Sequence, residues 1–292
     1  MNVYAQRRAR GVFAGDYGSV FKGRSLDFDI LREYTYGDDV KDIDWKASAR
    51  SRNIMVRRYI AIRKHNILIV ADNGNSMAAL APSGETKGEV ATFCAGVVAY
   101  IARKHDDLVG LVAGNHGGNM RFPIKEETPY IEDFLNKYSK SIKLEAADSD
   151  INALLTYVTK SFRERMFIIV ITDPTTALEI DRTLIRKLNA RHEQMYIFVE
   201  DSPLTNRLLF SQDARDIDGH LRLPHYYRTN RRIAKAETEY REAQRECVRR
   251  ILRQYGIFSS FVSGTDDAIP KIIQMLEEQK HEKHQWFNLC SI

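Results

Sequence analysis

The sequence predicts an α/β protein: a mostly parallel sheet interleaved with helices, preceded by a smaller β-rich extension. Three observations carry that prediction. From residue 66 onward, short apolar runs alternate with segments of helical periodicity, as in sheets whose strands are joined by helices. Three of those runs, ILIVAD at 67–72, MFIIVITD at 166–173 and QMYIFVED at 194–201, read as buried strands that end in acidic residues. Residues 1–65 are instead dense in Arg, Asp, Tyr and Trp and hold no long apolar run.

The elements follow in chain order. After the strand at 67–72, residues 85–105 form a largely buried helix, with Val90, Phe93, Val97, Val98 and Ile101 at helical spacing. LVGLVAG at 108–114 and MRFPI at 120–124 flank NHGGN, a hairpin turn that makes the second strand antiparallel. Helices are expected at 150–164 and near 179–190, and a short strand at 219–223. A long helix at about 230–255 puts Ile233, Ala236, Tyr240, Ala243, Cys247, Ile251 and Tyr255 on one apolar stripe. Its arginines (Arg231, Arg232, Arg241, Arg245, Arg249), laced with glutamates, read as a solvated face. A strand at 257–263 and a helix at 265–280 complete a domain spanning 66–280, and 281–292 is expected to be a polar tail.

Bulk composition narrows the function classes. With 43% hydrophobic and 28% charged residues among 292, the chain is an ordinary globular one. No apolar run approaches the roughly 18 residues of a membrane span, and the N-terminus lacks the apolar segment of a secretory signal. Three widely spaced cysteines argue against a disulfide framework or zinc knuckle, so a reducing, cytoplasmic setting is expected. Residues 1–65 hold 14 Lys and Arg against 8 Asp and Glu, while the remainder is near balance. Acids are interleaved throughout, so nucleic-acid binding is not expected.

Several motifs fail on their chemistry. PSGETKG at 82–88 lacks the G-K-[ST] order that sets a lysine and a hydroxyl against phosphate and magnesium. Counted as an EF-hand loop from Asp38, the acidic cluster has Ile43 at the required glycine. His281 and His284 have only Cys290 beside them. Aspartyl phosphotransfer of the phosphatase type needs a second acid two residues after Asp72, where Gly74 stands.

One constellation survives. Ligands of open α/β sheets collect where strands release their C-terminal ends into loops. Asp72 and Asp173 end two strands, and the loop ADSDIN at 147–152 enters a helix between them. Convergence of these loops would present Asp72, Ser76, Ser149 or Asp150, and Asp173 as hard oxygen ligands for Mg²⁺ or Mn²⁺. Taken singly, Asp72 and Asp173 read equally well as caps, and Ser149 as the N-cap of its helix.

The pattern D-x-[S/G]-x-S, then a Ser-Asp loop, then Thr-Asp, resembles the metal-ion-dependent adhesion site of von Willebrand factor A-type domains. That resemblance implies a doubly wound, mostly parallel sheet with one antiparallel edge strand and helices on both faces. It also implies an ion whose shell an acidic partner residue completes. Gly74 removes one hydroxyl from that set, and a water is expected to replace it. The block LREYTYGDDVKDIDWKASAR at 31–50 is similar to the defining block of the bacterial domain-of-unknown-function 58 family, with Lys41 in place of the usual arginine. Within it Arg32, Glu33, Tyr34, Asp38, Asp39, Asp42, Asp44, Trp45 and Arg50 are expected to form a charge network anchored by Tyr34 and Trp45, or else a recognition surface. Family members commonly neighbour MoxR-type AAA+ ATPases in genomes. The resemblance therefore implies a non-enzymatic adaptor working with such an ATPase, the alternative being a metal-dependent phosphoester hydrolase using the same aspartates.

Overall fold

The structure, a computed structural model, describes residues 30–51, 53–58, 65–205 and 230–289. They fall into two compact units, one within residues 12–64 and one running from His65 onward. The expected strand at 219–223 lies outside the described residues.

In the N-terminal unit β1 (Ile30–Glu33) pairs antiparallel with β2 (Met55–Arg58). A single 3₁₀ turn at Val40–Asp42 and the helix α1 (Trp45–Ser51) lie between them. The acidic residues of the block act largely on local backbone. Asp39 accepts from Lys41 N, and Asp44 Oδ1 accepts from the Lys46 and Ala47 amides at 3.0 Å, capping α1. Arg32 reaches Asp38 Oδ1 at 2.5 Å, and Asp38 Oδ2 takes the Thr35 amide. Asn53 Nδ2 donates to Glu33 Oε1 at 2.5 Å, and the Ser48 hydroxyl accepts from Met55 N. Asp42 is half-buried in the 3₁₀ turn, and Arg50 is exposed in the last turn of α1, where a cation suits the helix dipole. Tyr34 is half-buried with its amide on Ile54 O, and Trp45 is 66% exposed.

The second unit is built on a six-stranded sheet of order β5-β4-β3-β6-β7-β8. Its strands are β3 (Asn66–Asp72), β4 (Leu108–Asn115), β5 (Gly118–Lys125), β6 (Phe167–Thr172), β7 (Glu193–Val199) and β8 (Phe258–Val262). All neighbours are parallel except β4 and β5, the hairpin expected from NHGGN. Both alternations of the central strands are buried. Leu68, Val70, Ile168, Val170, Tyr196 and Phe198 belong to one core, while Ile69, Ile169, Ile171, Ile197 and Val199 are buried on the opposite parity.

The helices are α2 (Lys87–Lys104), α3 (Thr128–Ser141), α4 (Ile151–Ser161), α5 (Pro174–Leu178), α6 (Arg182–Asn189), α7 (Arg231–Arg253) and α8 (Thr265–Leu289). α2 packs with α3 and α8, and α4 packs with α6. The doubly wound α/β architecture expected from the sequence is the one observed. The sequence expectation left out α3, although Ile131, Phe134, Leu135 and Tyr138 form a helical stripe and are all buried. The helix expected near 179–190 is α6, and a short helix that was not expected, α5, precedes it, because Asp173 and Asp181 each cap a separate start. The last helix continues past 281 to Leu289.

The stripe expected on α7 is corrected. Tyr240 and Cys247 are exposed, and the face turned inward carries Val248 and Leu252. Continued toward the N-terminus, that face presents Arg245, Arg241 and Glu237 to the polar end of β7. Arg245 pairs with buried Glu200, Arg241 Nη2 donates to Asp201 O at 2.5 Å, and Glu237 accepts from the Leu204 and Thr205 amides. Two of the arginines read as solvated thus hold the strand end that frames the site below. Replacing Arg245 by Met leaves Glu200 with the Ser263 hydroxyl but without its arginine and is expected to cost about 1–2 kcal/mol in urea unfolding. The same change at exposed Arg250 is expected to cost less than about 0.5 kcal/mol.

Candidate functional site

β3 feeds α2, which packs with α3 and α8, whereas β6 feeds α5, which packs with α7. From β3 the chain moves outward to β4 and β5, then returns to β6 on the other side of β3. The switch point of the sheet therefore lies between β3 and β6, and there Asp72 and Asp173 sit. Both carboxylates are almost fully buried.

Asp72 shares the strand parity of Leu68 and Val70, and its side chain is fixed by three donors. Oδ1 accepts from Gly74 N at 2.8 Å and from Ser149 Oγ at 3.0 Å, and Oδ2 from Thr172 Oγ1 at 3.1 Å. The next turn is a 3₁₀ helix at Asn75–Ala78 that lifts Ser76 over the strand ends. Ser76 Oγ lies 2.8 Å from Ser149 Oγ and donates to Asp173 Oδ2 at 2.9 Å. Asp173 Oδ1 caps α5 through Thr176 N at 2.7 Å. The three loops are stitched together around this cluster. Asn75 N donates to Ala147 O and Asn75 Nδ2 to Asp148 Oδ1, while Tyr138 Oη donates to Asp72 O.

Of the five expected ligands the structure brings four together: Asp72, Ser76, Ser149 and Asp173. Asp150 is not among them. It is the N-cap of α4, accepting from Ala153 N at 2.8 Å, and its other oxygen faces His116 at 3.5 Å. Ser149, read from the sequence as that cap, is one residue too early and is free to turn into the cluster. Gly74 has a different role from the one expected. A Cβ there would lie 2.5 Å from Ser149 N and 2.7 Å from its Cα, so the glycine admits the Ser149 loop.

Lys87 was missed. It is the first residue of α2, behind a capping box of Thr86 and Glu89, and it is fully buried. Its Nζ lies 3.2 Å from Asp173 Oδ2 and 2.5 Å from Asp201 Oδ1. A cation in the first turn opposes the helix dipole, and that local conflict at the head of an apolar helix was the signal available in the sequence.

The two aspartates are electrostatically unlike. Burial pushes Asp72 up to about 6, opposed by the Gly74 amide and reinforced by the charge of Asp173. Burial also acts on Asp173, but the Lys87 charge and the Thr176 amide outweigh it and hold that carboxyl below its usual value. For Lys87, burial disfavours the charged form, and the charges of Asp173 and Asp201 more than compensate, so its pKa is raised.

Do these groups suit a divalent ion? Mg²⁺ takes oxygens at about 2.0–2.1 Å in an octahedron, which sets adjacent ligands roughly 2.9 Å apart. The succession Asp72 Oδ1, Ser149 Oγ, Ser76 Oγ, Asp173 Oδ2 has steps of 3.0, 2.8 and 2.9 Å. The donor type fits, and the spacing, which is that of the O–H···O hydrogen bonds now joining these groups, is compatible with such an ion. Among the described residues no three His, Cys, Asp or Glu side chains are placed to hold a metal, so an ion here depends on the serine hydroxyls.

The fold and site define an open α/β protein with a buried carboxylate–hydroxyl cluster at its switch point. The chain belongs to the family described as protein of unknown function DUF58, whose model matches residues 30–207. Uncharacterized proteins of Mycobacterium tuberculosis and Mycobacterium bovis are 24% identical over 202 residues, covering 69% of this chain and 63% of theirs. The match therefore spans less than two thirds of those relatives. Similar solved structures include BatB from Bacteroides thetaiotaomicron (19% identity, 74% of this chain and 99% of that one, TM-score 0.41). An aerotolerance-related membrane protein from Bacteroides fragilis (18%, 73% and 99%, TM-score 0.44) and a von Willebrand factor type A protein from Catenulispora acidiphila (11%, 77% and 43%, TM-score 0.40) are similar too. No helix among the described residues is long and apolar enough to cross a membrane.

Two outcomes follow from this geometry. With its pKa raised from 3.8 to about 6, Asp72 contributes stability that is fully present below pH 4 and lost as pH rises through 6. In EDTA, the Tm of Asp72→Asn relative to the parent should climb between pH 4 and pH 7.5, with an upper bound of about 3 kcal/mol. A pH-independent difference would contradict the assignment. Gly74→Ser, which restores the hydroxyl of the adhesion-site pattern, should destabilise by about 2 kcal/mol or more because it drives the Ser149 loop outward. Wild-type stability of that variant would show that the loops are not in contact.

Proposed function

We propose that this protein is a non-enzymatic adaptor that docks protein partners on the strand-end face around Asp72, Ser76, Ser149 and Asp173. The observation that supports this reading most is the gathering of two carboxylates and two hydroxyls into one hydrogen-bonded cluster where the sheet changes direction. Asp72 and the two serines hold the cation side of the contact, and the Asn75–Asp148 link keeps their loops in register. When bound, Mg²⁺ or Mn²⁺ supplies a coordination position that a partner carboxylate completes. The family resemblance points to a MoxR-type AAA+ ATPase as the partner, and the composition to a cytoplasmic setting. The hydrolase alternative gains no specific observation, since the group facing Asp173 is a charged ammonium with no lone pair to act as base.

A pull-down with the tagged protein and a MoxR-type ATPase tests the reading. Binding in millimolar Mg²⁺ should fall at least about tenfold in EDTA, and Asp72→Ala should lose that metal-dependent part. Equal binding under all three conditions removes the metal from the account and leaves an adaptor of another kind.

A further inference from the structure

Lys87 is the one element of the cluster that a cation site does not call for. Two oxygens receive its ammonium, Asp173 Oδ2 at 3.2 Å and Asp201 Oδ1 at 2.5 Å, and its side chain is as buried as that of Asp173, while Asp201 is partly exposed. Asp173 Oδ2 is also the fourth oxygen of the octahedral-edge run, so ammonium and ion compete for the same carboxylate oxygen. Asp201 is no loose end either. Its carbonyl is held by Arg241 from α7, which leaves its carboxylate directed at Lys87 from the end of β7.

We propose that Lys87 is a tethered resident cation: it neutralises Asp173 and Asp201 in the metal-free protein and keeps the site's affinity for divalent ions low. The inference rests on reading the four oxygens as a cation site. Its physical basis is charge. Asp173, buried beside Asp72, needs a counter-charge, and an ammonium carried on the chain supplies it at any metal concentration. The same positive charge repels an incoming ion at close range. The protein therefore folds without metal and takes up Mg²⁺ or Mn²⁺ weakly, and a partner carboxylate that completes the ion's shell shifts the balance toward the loaded state. Lys87 acts here as a positioning residue, through Asp173.

The test compares the full-length parent, Lys87→Met and Lys87→Arg by Mn²⁺ binding, followed by electron paramagnetic resonance, and by Tm in EDTA and in MnCl₂. Lys87→Met is expected to bind Mn²⁺ at least about tenfold more tightly than the parent. Its Tm should also become strongly metal-dependent, because the ion now supplies the missing charge. Lys87→Arg keeps the charge and should stay weak and metal-insensitive. Should Lys87→Met fail to fold in EDTA, recovery of the folded state by millimolar Mn²⁺ is the expected result, and no recovery overturns the proposal. Parent and Lys87→Met binding Mn²⁺ equally would remove the role given to Lys87 while leaving the cation site standing. Mn²⁺ binding by none of the three would remove both. Tighter binding by Lys87→Met together with a metal-independent pull-down would keep the Lys87 role and discard metal-bridged docking.

Discussion

Everything at the strand-end face depends on two aspartates buried side by side at the ends of neighbouring central strands. An isolated carboxylate so deep would be prohibitively unfavourable, and two together repel. The surroundings are arranged around that constraint. Thr172, Ser149, Ser76 and the Gly74 amide donate to the pair, and Lys87 places a full charge against one member. Because the charge sits beside Asp173, the burden of burial falls on Asp72, whose pKa rises while that of Asp173 falls.

This asymmetry links fold to function. Burial raises the pKa of Asp72, and a cation at the proposed site would lower it. Asp173 already has one and also caps α5. Glycine at 74 lets the Ser149 loop close over the strand ends, so the hydroxyls reach the carboxylates directly. At the end of β7, α7 supplies arginines that hold Glu200 and Asp201, which fixes the third acid within reach of Lys87. The site is thus braced from both faces of the sheet.

Much of this was legible from residue patterns. The buried strands and the hairpin follow from apolar runs and turn chemistry, strand-end position singles out Asp72 and Asp173, and the resemblance to the adhesion-site pattern adds Ser76 with Ser149 or Asp150. Other features were not, for definite physical reasons. Periodicity alone placed the apolar stripe of α7 through Tyr240 and Cys247, because it cannot tell that arginines face inward when the opposing surface is the polar end of a strand. Asp150 and Ser149 are neighbours, and only backbone geometry decides which caps α4 and which turns inward. Gly74 looked like a lost ligand, whereas its cause is a close approach by residues 75 positions away in sequence. Lys87 belonged to a phosphate-loop pattern that failed, and its second partner, Asp201, lies more than a hundred residues further on.

The central claim is that these oxygens form a cation site with a built-in competitor. The most direct test is a crystal structure grown in Mn²⁺, examined by anomalous scattering. The account predicts a partly occupied peak about 2.0–2.3 Å from Asp72 Oδ1, Ser149 Oγ, Ser76 Oγ and Asp173 Oδ2, with Lys87 Nζ displaced from Asp173 toward Asp201 where the ion is present. An Mn²⁺ peak held elsewhere, or none at saturating metal with these four oxygens unmoved, would contradict it.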